Sequence, residues 1–97
     1  MSSYRVSLQL GALRPSADPA AVLSTAAAAA GELANVEASE IGVVAGIARV
    51  TVRFTEDDDE LARQIGAHTA ESTDRVVEVL RWQVTERVKS RWLPVEP

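Results

Sequence analysis

The chain has no cysteine, which excludes disulfides, thiolate zinc sites and cysteine nucleophiles. It has one histidine, His68, so a histidine-rich metal cage and a histidine pair for acid–base work are excluded as well. Aromatic residues are scarce: Tyr4, Phe54, Trp82 and Trp92 are the whole set. The five glycines, at positions 11, 31, 42, 46 and 66, never fall into a phosphate-cradling or dinucleotide-binding spacing. No segment approaches the roughly 20 apolar residues of a membrane-spanning helix. The opening Met1–Val6 also lacks the apolar stretch of a signal peptide. The expectation is a cytoplasmic protein with no membrane contact and no cofactor.

What is present is enough for one domain, residues 1–97. Apolar residues make up 46% of the chain and charged residues 25%, a globular composition. Much of the apolar share is alanine, including the run Ala26–Ala30, so the core is thin for its length. Association with a second copy would stabilise such a chain, and a homodimer is expected.

Charge is unevenly placed. The net charge is −4, but residues 1–74 hold five arginines against eleven acids, whereas residues 75–97 hold five cations against three glutamates. A basic end on an acidic body is the pattern. Bulk nucleic-acid binding does not suit the overall acidity.

Tyr4–Leu10 alternates, with Val6, Leu8 and Leu10 on one side and Arg5, Ser7 and Gln9 on the other, which predicts a half-buried strand. Asp18-Pro19 predicts a helix start with Asp18 as the cap. Leu23, Ala26, Ala27, Ala30 and Leu33 then supply a helical stripe. Val36 and Ala38 alternate with Glu37 and Ser39, predicting a second strand. Ala48, Val50, Val52 and Phe54 alternate with Arg49, Thr51 and Arg53, predicting a third. Gly42 and Gly46 lie between them, so a hairpin is the economical connection, with one glycine in the turn and the other at a bulge.

Thr55–Asp58 resembles a capping box ahead of a second helical stripe through Leu61, Ala62, Ile65 and His68 or Thr69, ending at Ser72–Asp74. The acidic run Glu56–Glu60 reads as a dipole-matched helix start, since a calcium loop would need alternating ligands and a central glycine. From Arg75 to Val88, alternation places Val76, Leu80, Trp82, Val84 and Val88 on one face, and the Val, Trp and Thr content favours a strand over a helix. Lys89-Ser90 predicts a turn, followed by a short C-terminal strand or tail at Arg91–Leu93. The order β-α-β-β-α-β predicts an α+β, ferredoxin-like fold: a four-stranded antiparallel sheet with two helices on one face. That architecture hosts many unrelated functions and selects none.

Three groups of residues are candidates for function. His68 is the one side chain that titrates near neutral pH, a weak catalytic candidate whose plain alternative is a histidine half-buried against the sheet. Arg49 and Arg53, with Glu37 and Glu40 nearby, would stand on the sheet face away from the helices, either as solvated ion pairs or as a binding surface. Arg81, Arg87, Lys89 and Arg91 surround Trp82 and Trp92, a basic and aromatic mixture able to take a partner or RNA. Trp82 falls on the apolar side of its strand, and no ring platform for stacking bases stands on the third strand. The leading expectation is a non-enzymatic interaction or ligand-binding module, dimeric through the sheet face or the C-terminal segment. A protein partner or a small molecule fits it. The alternatives are a small cofactor-independent enzyme or binder with a pocket at His68, and RNA binding by the basic C-terminal strand.

Overall fold

A computed structural model describes residues 1–96. Its elements run β1 (Ser2–Leu13), α1 (Ala21–Gly31), β2 (Asn35–Val44), β3 (Ile47–Glu56), α2 (Asp59–Asp74), β4 (Val77–Val88) and β5 (Arg91–Pro94). The strands form one antiparallel sheet in the order β2-β3-β1-β4-β5. The first six elements have the ferredoxin-like order. The sheet, however, has five strands rather than the four expected from the sequence. Lys89-Ser90 makes a two-residue turn, and β5 folds back to pair Arg91 with Val88 and Pro94 with Thr85. Four paired residues lengthen the sheet by an edge strand.

Alternation in β1 and β3 decides which face is the core. Tyr4, Val6, Leu8 and Leu10 pack with Val50, Val52 and Phe54 under both helices. Tyr4 and Phe54 are opposite one another across β1 and β3, their rings stacked at 5.9 Å. The Tyr4 hydroxyl donates to Asp59 Oδ1 at 2.8 Å, so the ring is buried while its polar tip is satisfied. Burial first, then that hydrogen bond and the negative field of Glu86, hold the phenol well above its usual pKa.

From α1, Val22, Ala26, Ala29 and Ala30 face the core, and from α2, Ala62, Ile65, Gly66, Thr69, Ala70 and Thr73 do. Small side chains let both helices lie close to the sheet. Thr69 and Thr73 satisfy their buried hydroxyls on the carbonyls one turn back, Ile65 and Thr69, at 2.8 and 2.7 Å. At Gly66 the approach is closest: an added Cβ would lie 2.5 Å from Val84 Cγ2 and 2.9 Å from the Trp82 ring.

The helix starts differ from one another. Asp58 caps α2 by accepting from the Leu61 N–H at 2.9 Å. Asp18 instead accepts from Ala20, and α1 proper begins at Ala21 after a tighter turn in which Ala21 and Val22 donate to Asp18 and Pro19 carbonyls. Leu33, expected on the α1 stripe, lies beyond the helix end and is 51% exposed.

Two bulges correct the expected faces. In β2 the extra residue is Glu37: Val36 faces Phe54 on the core side, while Ala38 is opposite Arg53 on the other. Gly42 stays in regular register opposite Arg49, so neither glycine of this hairpin makes the bulge. In β4 the register shifts between Gln9 and Leu10, so Leu80 does not share a face with Trp82 and Val84 and is 57% exposed. Val77 and Val79 take the core side instead.

The β2–β3 turn is Ala45-Gly46, with φ of 52° and 79°. Two positive φ values suit the twist of a two-residue hairpin but strain an alanine. Ala45→Asn, which restores the favoured Asn-Gly pair, is therefore expected to stabilise the fold by about 0.5–1 kcal/mol. A rise in the urea midpoint at constant slope checks it.

Candidate binding face

Because both helices cover one side of the sheet, the odd-numbered residues of β1 and their neighbours face away from the core. The outer surface is built in rows across the strands. Arg49 of β3 is opposite Gln9 of β1, which is opposite Arg81 of β4. One step along, Thr51, Ser7 and Gln83 form the next row, with Glu40 of β2 beside Thr51. One step further come Ala38, Arg53, Arg5, Thr85 and Pro94. Arg87, opposite Trp92, closes the far corner.

Trp92 belongs to this face. The Arg5 guanidinium carbon lies 3.9 Å from its ring centre and that of Arg53 lies 5.4 Å away. Each cation–π contact contributes about 0.5–1 kcal/mol at an exposed site. The ring thus holds β5 down on its own sheet. Arg53 Nε also lies 3.4 Å from Glu37 Oε1, an ion contact without hydrogen-bond geometry, and Glu37 accepts from Ser3 Oγ at 3.2 Å. Bulging at Glu37 is what turns this carboxylate toward Arg53.

Arg49 and Arg81 are different. Among the described residues neither pairs with a carboxylate, and the buried Nε of Arg49 has no hydrogen-bond partner. They line a shallow depression of about 140 Å³ with Ser7, Gln9, Trp82 and Gln83. A second depression, of about 150 Å³, lies over Arg5, Ala38, Glu40, Thr51 and Arg53. In all, the outer face carries Arg5, Arg49, Arg53, Arg81 and Arg87 against Glu37, Glu40 and Glu78. It is a net positive surface on a chain of charge −4.

The structure thus brings Arg49, Arg53, Arg81, Arg87 and Trp92 onto one face. Lys89 sits in the β4–β5 turn at φ 60°, its carbonyl accepting from Arg87 Nε at 3.2 Å. Arg91, opposite Val88, alternates to the other side of the sheet from Trp92. Trp82 faces the helices but is 40% exposed at their margin. His68 is far from the outer face: it stands on α2, half-exposed, with Nε2 3.2 Å from Glu32 Oε1 at the end of α1. It ties the two helices together and lines neither depression of the outer face.

Sequence reasoning does not single out Arg5 or Gln83 as site residues. Their signal lies in the polar half of the β1 alternation and in the odd positions of β4. Asp74, expected to end a helix, also anchors the start of β4. Its carboxylate accepts from the Val79 N–H at 2.9 Å and pairs with Arg14 at 2.9 Å, and these contacts hold it below its usual pKa.

Fold and site together define an α+β domain with an open, arginine-bearing sheet face. No family model matches the sequence, and no curated protein matches it. Among the described residues no helix is long and apolar enough to cross a membrane.

Proposed function

We propose that this chain is a non-enzymatic binding module that acts as a homodimer, with the outer face of the sheet as its working surface. One observation carries the reading: two helices cover one side of the sheet, and the other side presents a contiguous polar floor with a surplus of arginine. The thin, alanine-rich core supports a second copy, because association adds stability that a small domain lacks. The C-terminal segment contributes through Trp92, whose ring packs against Arg5 and Arg53 of its own sheet and shapes that floor.

Light scattering on a size-exclusion column tests the proposal. At about 100 μM the chain is expected to elute as a dimer, and Ser7→Lys, which adds a cation at the centre of the face, is expected to shift it to monomer. A monomer at that concentration overturns the homodimer. A dimer indifferent to Ser7→Lys removes the outer face as its contact.

A further inference from the structure

The outer face has more positive charge than its own carboxylates neutralise: Arg87 donates only to the Lys89 carbonyl, and two further unpaired arginines stand in one row. Arg53 has Glu37, and both Arg53 and Arg5 have the Trp92 ring. Arg49 and Arg81 have neither. They flank Gln9 on successive strands, which puts their Cα atoms about 10 Å apart at two inter-strand spacings. Side chains of that length converge readily on a group held between them. The floor beneath consists of Ser7, Gln9 and Gln83, each able to donate a neutral hydrogen bond, and no carboxylate lines this depression.

Burying a charged donor without a partner is costly, and the Arg49 Nε is such a donor. Planar guanidinium forks bind oxyanions through paired N–H bonds, and phosphate offers the acceptors to satisfy several donors at once. The nearest acid, Glu40, lines the adjoining depression with Arg49 and Thr51 but forms no ion pair with Arg49. The depression, about 140 Å³ in volume, has room for a phosphate group.

We propose that Arg49 and Arg81, with Ser7, Gln9 and Gln83, form a binding site for the phosphate group of a small molecule. The site rests on the reading of the outer face as the working surface, yet lies within one chain and does not need the dimer.

The test is an amide-resolved NMR titration of the full chain with inorganic phosphate, against sodium chloride at matched ionic strength. Saturable shifts are expected at Ser7, Gln9, Thr51 and Gln83, with chloride giving none that saturate. Arg49→Gln and Arg81→Gln are each expected to weaken phosphate binding at least about tenfold, the loss of one charge-assisted contact. Arg75→Gln, an exposed arginine at the end of α2, is expected to leave binding unchanged. Arg49→Lys, which keeps charge and loses the fork, should fall between. Thermal melts of each variant confirm that it is folded.

Shifts that do not saturate, or that persist unaltered in Arg49→Gln and Arg81→Gln, overturn the site. A monomer that still binds phosphate through these arginines overturns the dimer alone. A dimer that does not bind it overturns the site alone.

Discussion

Phe54→Ala is expected to cost about 3–5 kcal/mol of folding free energy, the range for removing a buried aromatic ring. Phe54 is fully buried, stacked on Tyr4 and opposite Val36 on the neighbouring strand. The elements above it cannot close the gap. α1 presents mainly alanines, which have no side chain to swing into a cavity, and its Val22, like Val50 and Val52, is restricted at χ1 by branching. A typical domain has only about 5–15 kcal/mol in total, and a short one sits toward the lower end. Urea unfolding followed by far-UV circular dichroism measures the loss. A change under about 1 kcal/mol, well below the cavity range, would mean that the core does not rest on this ring.

The second large effect is at Gly66, where two opposing effects can be compared. Alanine in a helix interior is favoured over glycine by up to about 1 kcal/mol. Here the added carbon would lie 2.5 Å from Val84 and 2.9 Å from Trp82, so helix and strand must separate. Overpacking of that kind costs about 1–3 kcal/mol. Val84 is buried and β-branched and cannot rotate away, so the steric effect should win in Gly66→Ala and widen further in Gly66→Val. Gly42→Ala is the control, since nothing lies within 4 Å of the added carbon. Equal melting temperatures for Gly66→Ala and Gly42→Ala would refute the close packing of α2 on β4.

Both positions show how much of this molecule is legible in its residues. Period two in Tyr4–Leu10 and Ala48–Phe54 identifies two central strands and their buried faces, because a strand covered on one side must alternate. Asp58 announces α2. What alternation cannot report is its own interruption. Nothing in Val36-Glu37-Ala38 or Leu80-Arg81 distinguishes a bulged residue from a paired one, since the extra residue is set by the partner strand. Alternation alone therefore puts Ala38 and Leu80 on the wrong face.

The fifth strand is half visible, as a turn at Lys89-Ser90 with too short a return to fix its pairing. Of the candidate site, the arginines on β3 and β4 can be named from sequence, but not their neighbours. Gln9 stands between Arg49 and Arg81 because β1 runs between β3 and β4, a fact of topology. Trp92 as a lid over Arg5 likewise depends on β5 folding back. His68 draws notice through its chemistry, while its position is set by helix packing against Glu32.

The open edge of β2 has a consequence for how this chain behaves when crowded. From Ala38 to Val44 the strand pairs with β3 on one side alone and carries a single charge, Glu40, in seven residues. Ile41, Val43 and Val44 are exposed along it, and Ile47 follows across the turn. Such a stretch is a template for cross-β growth; Glu40 is the one charge within it that blunts the edge, and the Glu37 bulge lies at the opposite end from the turn. Edge pairing with a second chain is therefore expected to be easiest at the hairpin tip and hardest at Glu37, where the ladder is kinked.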